Sequence, residues 1–511
     1  MPKSVADAAA LPAAADVQAL PVSVAGPFRR LLAALEAAGL RYCHWKSNLR
    51  LLDSLTGEDD LDLLVHRADA TAVCALLAKA GFKLARSGGG LDHPGVIHAL
   101  ALDDPDQRIL HAHLYFQVLT GDSLVKSYHL PLEKTLLDGE ARLHGVRVPE
   151  PEVELAVFLL RILLKHRALS EVMLVNRDNV GVADELAWLL QRADWAATRA
   201  TLVQWMPDAD PALFDAMQEA VAVPGAIWRR IALAHRIVPH LRNLRRIAPG
   251  AEVWSRGKRL QVLVLGKFRR HKDMQLVTGG ILVAMVGPKA VGKSTLGGML
   301  AATFGEHLDL RRVHVGKPPA TWLTLAPGLM IPLARKLLPG QRSGAYERTD
   351  VDRSAPKRYS LIHVLRMTML AYDRRALLRR CWRDAASGRI VMTDRYPSLT
   401  VGAMDSCRFS EDDITNSNSM LARWLMRQER ALCRNLPQPD LILRLEADIG
   451  TTLQRDALRI KPGGPDAEAV LRRWTRETTG DFGNAPVVHI DTKCAREVSA
   501  AAAVRAVWDA L

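Results

Sequence analysis

The chain has 511 residues, 49 % of them hydrophobic and 24 % charged, more than one core organises at ~100–200 residues per domain, so two or three domains are expected. Its 69 Lys and Arg against 55 Asp and Glu give a net charge of +14, which excludes an acidic disordered chain and invites a polyanionic ligand. Six cysteines with no Cys-x-x-Cys pair exclude a disulfide scaffold and a thiolate zinc site.

The first 26 residues are Ala-rich, interrupted by Asp7, Pro12, Asp16 and Pro21. They read as a loose tail without the continuous apolar core of a signal peptide. Residues 27–149 predict a small α/β domain: a helix over 27–40 with Pro27 in its first turn and Gly39 as its stop, a strand over 61–66, a helix ending at Gly81, and a strand over 108–116. Residues 150–247 read as a helical domain, with ELAVFLLRILLKH and ADELAWLLQRADW at helical spacing.

Residues 248–278 read as a basic linker. The stretch 229–272 holds thirteen Lys and Arg against one acid, Glu252, so its net +12 leaves only +2 for the rest of the chain. Its sparse aromatics, Trp254 and Phe268, make no stacking platform and no nucleic-acid motif accompanies them. It reads as a solvated hinge, or as the place where an anionic partner is met. From 279 to 511, apolar strands at 281–287, 311–316, 388–396, 439–447 and 487–492 alternate with helical patterns, which predicts a parallel sheet flanked by helices. No apolar run approaches the ~18 residues that span a bilayer, and a soluble, cytoplasmic protein is expected.

GPKAVGKS places Gly287, four residues, then Gly292, Lys293 and Ser294 between a buried-strand pattern and a helix beginning near Thr295. Glycines there let the backbone of Gly287, Pro288, Lys289, Ala290, Val291 and Gly292 aim its N–H groups at phosphates. Lys293 can bridge phosphate oxygens and Ser294 can ligate Mg2+. The strand GRIVMTDRYP delivers Asp394, Arg395 and Tyr396 to its C-terminal end, the edge at which open parallel sheets bind ligands.

Residues 279–511 resemble the thymidylate kinase family of P-loop nucleoside and nucleotide kinases. The phosphate loop is followed in family order by LAYDRRALLRR, the DRY strand end, PDLILRLEADIGTTLQR and VVHIDT. The resemblance implies ATP and Mg2+, with Lys293, Asp394 and Arg395 as catalytic groups. It also implies Arg374 and Tyr396 on the acceptor side, and Arg455 and Arg459 as lid arginines. The chain departs from the family at VGKPPATW and in an insertion over 318–358, so the acceptor pocket is expected to be remodelled.

GEDDLDLLV sets Asp60 and Asp62 two apart on a strand, both on one face of the sheet, a spacing that suits divalent cations bridging a triphosphate. With HWKSN before it and HAHLYFQVLTGD after it, residues 27–245 resemble the bacterial nucleotidyltransferase-like proteins of the polymerase-β superfamily. That resemblance makes Lys46 a phosphate contact and Asp60 and Asp62 metal ligands. The third carboxylate is replaced by His111, two residues before His113, a pair that can bind metal, face substrate or serve structure.

The expected function is ATP-dependent phosphoryl transfer to a nucleoside monophosphate or related small molecule, with an appended nucleotidyltransferase-like domain. Two alternatives stay open: a sugar or polysaccharide-precursor acceptor, and a non-catalytic ATP-gated binding module. An oligomer is compatible with either.

Overall fold

A computed structural model of the chain describes residues 20–21, 23–104, 106–167, 179–223, 226–269, 274–337, 359–403, 405–457 and 480–511. It divides into two compact units, Met1–Met274 and Gln275–Leu511. Both are α/β, and the second is built on a wholly parallel sheet.

In the first unit α1 (Gly26–Ala37) starts at Pro27, whose missing N–H costs a helix nothing at that position. The strands β1 (Tyr42–His44), β2 (Leu61–Val65), β3 (Lys83–Arg86), β4 (Val96–Asp103) and β5 (Arg108–Tyr115) follow, with α2 (Ala70–Lys79) between β2 and β3. They pair in the order β1-β2-β5-β4-β3. One core lies between this sheet and α1, around Phe28, Leu31, Leu63 and Leu114. The ordered fold begins before residue 27, because Val24 and Ala25 are buried and the Ala25 N–H donates to the Leu55 carbonyl.

A second core gathers on α3 (Pro151–His166), whose Leu155, Phe158, Leu159, Leu160 and Leu163 are all buried. A helix apolar on most of its circumference has to be central. It is surrounded by α4 (Asn179–Leu190), α5 (Trp195–Trp205), α6 (Pro211–Ala222) and α7 (Ile227–Ile237). Asp194 and Asp210 cap α5 and α6 by accepting their first backbone N–H groups.

The basic linker is corrected by the structure: Pro249–Arg269 is a single helix, α8. Its charges are fasteners. Glu252, 3 % exposed, receives Arg167 at 3.1 Å, Arg256 at 2.7 Å and Arg245. Arg256 also reaches Asp122 at 2.9 Å. Arg259 donates to the carbonyls of Leu91, Asp92 and Leu124, and Arg246 to those of Val125 and Lys126. Arg230, fully buried, donates to the carbonyls of Ala220, Val221 and Val223, the orphan acceptors at the end of α6. Five of the thirteen cations are therefore held inside the first unit.

The second unit's strands are β6 (Ile281–Val286), β7 (Leu310–Val313), β8 (Ile390–Thr393), β9 (Leu441–Glu446) and β10 (Val487–Asp491). They pair in the order β7-β8-β6-β9-β10. The chain leaves β6 to one side and later returns to the other, so β6 is the switch point where such sheets open a ligand crevice. Its helices are α9 (Lys293–Phe304), α10 (Trp322–Leu337), α11 (Leu361–Ala386), α12 (Met420–Arg434), α13 (Ile449–Ala457) and α14 (Arg496–Ala510). Of the 318–358 insertion, residues 322–337 are helical despite Pro327 and Pro332, and 338–358 lie outside the described residues. Among the described residues, no helix is long and apolar enough to cross a membrane.

Candidate functional site

The phosphate-loop sequence sits at the C-terminal end of β6 and runs into α9. Gly287 (φ +140°), Ala290 (φ +66°) and Gly292 (φ +108°) turn the backbone through left-handed conformations. A Cβ at Gly287 would lie 2.5 Å from the Leu445 carbonyl oxygen of β9, so only glycine fits against the neighbouring strand. Pro288, Lys289 and Val291 complete the turn, and Ser294 and Thr295 open α9, whose positive end faces the loop. The Lys293 ammonium folds back over it, donating to the Gly287 carbonyl at 2.6 Å and the Pro288 carbonyl at 2.8 Å.

Beside the loop lies a cavity of about 250 Å3 lined by Gly292, Thr295, Met299, Arg455, Thr492 and Arg496. Arg455, on α13, donates to the Thr492 carbonyl at 2.7 Å. The arginine expected in a lid thus forms a wall of this cavity, fixed to the end of β10. Arg459 lies outside the described residues.

Asp394 directly follows β8, whose Thr393 pairs with Ala284 of β6 and with Val313 of β7. Its carboxylate accepts from the Val315 N–H at 3.3 Å and is hydrogen-bonded to His314 Nδ1. Asp405, which carried no sequence signal, bridges two arginines: Arg374 at 3.0 Å and Arg395 at 3.5 Å. Burial lowers the pKa of the Arg374 guanidinium from its usual value, and Asp405 opposes that shift.

Two residues of this region serve the fold. Tyr396, expected on the acceptor side, is a core residue: its ring packs with Leu378, Val391 and Ile442, and its hydroxyl donates to the Pro437 carbonyl. An aromatic ring three residues past the strand end gains more from that burial than from facing solvent. Asp373, beside Arg374, is buried and accepts from the Thr321 N–H at 3.0 Å and hydroxyl at 2.9 Å and from the Thr324 hydroxyl at 2.6 Å, tying down the start of α10.

In the first unit, every residue expected at the nucleotidyltransferase-like site comes together. Asp62 pairs with His113 across β2–β5 and sits 3.0 Å from the Lys46 ammonium. Lys46 also donates to the Tyr115 hydroxyl at 3.1 Å. Asp60 holds His111 Nδ1 at 2.8 Å, and Asp62 holds His113 Nδ1 at 3.2 Å. Burial alone would raise the Asp62 carboxyl, but Lys46 and His113 outweigh it and leave it well below the usual carboxylate range. His98, which the sequence reading missed, lies opposite His113 across β4–β5, and its Nδ1 is 3.1 Å from His111 Nε2. Burial and then the neighbouring His113 and His111 push its pKa down to about 3, so the ring is neutral near pH 7.

No family model matches the chain, and no curated protein matches it. Among solved structures, it is similar to deoxyadenosine kinase from M. mycoides with the products dCMP and a flexible dCDP bound. The identity is 12 % over 43 % of this chain and 94 % of that one, with a TM-score of 0.24. The same enzyme with dCTP bound aligns at 12 % identity over 43 % and 94 %, with a TM-score of 0.22. An unliganded sugar kinase from Janibacter sp. HTCC2649 aligns at 13 % identity over 44 % and 94 %, with a TM-score of 0.22.

Proposed function

We propose that the second unit is a Mg2+- and ATP-dependent small-molecule kinase. The observation that carries this reading is the run from β6 through Gly287–Thr295 into α9, with Asp394 on the adjacent parallel strand and the cavity beside the loop. The donor set fits a bound triphosphate: left-handed turns at Gly287, Ala290 and Gly292 expose successive backbone N–H groups, and the Lys293 ammonium rests on two carbonyls it can leave for phosphate oxygens.

ATP supplies the transferable phosphoryl group, and Mg2+ neutralises its charge. The loop N–H groups and Lys293 would bind the phosphates, Ser294 would ligate the metal, and Arg455 would flank the base side of the cavity. Asp394 would orient the acceptor oxygen and take up its proton, while Arg395 would stabilise charge on the phosphoryl oxygens. Nothing equivalent is proposed for the first unit, where His111 replaces the third carboxylate and Lys46 already neutralises Asp62.

The acceptor reading begins with a nucleoside monophosphate. Asp405 favours a second reading, an uncharged hydroxyl acceptor such as a nucleoside or sugar: Arg374, the arginine on the acceptor side, is already paired with its carboxylate at 3.0 Å. The test is a coupled ADP-release assay over nucleosides, their monophosphates and sugars. Turnover is expected with one class, and Lys293→Ala should lower kcat/KM about 100-fold or more. Retained ATP binding with no turnover across the panel would point instead to an ATP-gated binding module.

A further inference from the structure

We propose that the first unit binds one divalent transition-metal ion of the zinc class on His98, His111 and His113. The three histidines belong to the first unit, and the proposal does not rest on the kinase reading.

Three observations carry it. The first is register: His98 is paired with His113 across antiparallel β4 and β5, and His111 precedes His113 by two, so the three imidazoles stand on one face of the sheet. The second is distance. One nitrogen from each ring lies within 4.8 Å of one from each of the others, and His98 Nδ1 and His111 Nε2 are 3.1 Å apart. Tetrahedral zinc at its usual Zn–N length needs nitrogens about 3.4 Å apart, so ring rotations would have to close the widest gap by at most about 1.4 Å.

The third is the carboxylates. Asp60 takes His111 Nδ1 at 2.8 Å, Asp62 takes His113 Nδ1 at 3.2 Å, and Asp92 lies 3.9 Å from His98 Nε2. His111 and His113 each give Nδ1 to an acid, which makes Nε2 the metal-facing donor, and His98, with Asp92 beyond hydrogen-bond reach of its Nε2, offers Nδ1 beside His111 Nε2. That carboxylate–histidine pairing fixes the tautomer of imidazole ligands and raises their basicity.

The donor set also selects the ion. Three imidazoles suit zinc and its neighbours, whereas Mg2+ prefers oxygen ligands, and Asp62 is already matched by Lys46 at 3.0 Å. The rings are 16 %, 8 % and 17 % exposed in the order His98, His111, His113, so solvent reaches the cluster. Three protein ligands leave a fourth position for water or for a substrate oxygen, the arrangement of zinc sites that do chemistry.

The experiment uses the metal-stripped full chain. Zinc is titrated calorimetrically, and Co2+ is added as a spectroscopic probe. One equivalent of zinc per chain is expected, with a Kd of about 1 µM or tighter. His98→Ala and His98→Gln should each weaken it about 100-fold, and Asp60→Asn about tenfold, while circular dichroism and melting temperature of the metal-free protein hold. Lys293→Ala should bind zinc as the wild type does. Zinc uptake unchanged in both His98 variants, or none at a large excess of zinc, overturns the proposal. If both variants unfold, the wild-type Co2+ spectrum decides: intense bands of a four-coordinate ion support the site, and the weak bands of an octahedral ion refute it.

Discussion

Glu154 places an acid where the fold does not welcome its charge. Its carboxyl is 4 % exposed and accepts only from Asn48 at 2.8 Å among the hydrogen bonds described, and burial pushes its pKa up to about 7 from an ordinary 4.5. The folded chain keeps this proton up to about pH 7 and the unfolded chain releases it near 4.5, so over that interval the unfolded state binds fewer protons. Through Glu154 alone, the stability of the first unit therefore falls as pH rises from about 4.5 to about 7 and then levels, while His98, held neutral by burial, contributes in the opposite sense between about 3 and 6.5. Glu154→Gln keeps an oxygen for Asn48 and removes the titration. Denaturant unfolding should show the stability of this variant falling less, or rising more, with pH over that interval than the wild type's, and an identical pH slope in the two proteins would show that Glu154 does not titrate there. At this scale the sequence was informative wherever a residue's role is local. Gly287 and Lys293 announce themselves by spacing, whereas His98 meets His111, 13 positions away, through cross-strand register, and Asp405 meets Arg374, 31 positions away, through a loop.

Elements differ in legibility for a related reason. The central strands β6 and β8 are buried along their whole length and read as continuous apolar runs, whereas the edge strands β7 and β10 are partly exposed and carry Arg311, Arg312 and His489. Helix α8 does not read that way. It begins with Pro249 and Gly250, contains Gly257, and is dominated by charge, so propensity and hydrophobic period both point to a linker. Its signal was a polar stripe: Glu252, Arg256 and Arg259 fall at i, i+4 and i+7 on one face, and that face is bonded to Asp122, Arg167, Arg245 and the loop carbonyls of Leu91 and Leu124. The helix is held by ion pairs in place of an apolar seam. Glu252→Ala leaves three guanidiniums without their shared acceptor and should destabilise the first unit by about 3 kcal/mol. Its melting temperature checks this, and a loss under about 1 kcal/mol would mean the arginines re-pair with solvent.

Across the whole molecule, the two units have separate cores. Residues 275–511 expressed alone should fold and, on the kinase reading, release ADP with a kcat/KM within about threefold of the full chain. A folded but inactive fragment would show that activity needs the first unit. The charge total was legible from the outset, but its meaning was not, because composition cannot tell a cation in solvent from one closed inside a fold. Five arginines of the basic stretch are closed in. The Glu252 junction adds a constraint on descent. A surface arginine can drift to lysine or glutamine singly, but Arg167, Arg245 and Arg256 share one carboxylate. In any lineage of this chain the four positions should be inherited as a block, kept together or replaced together.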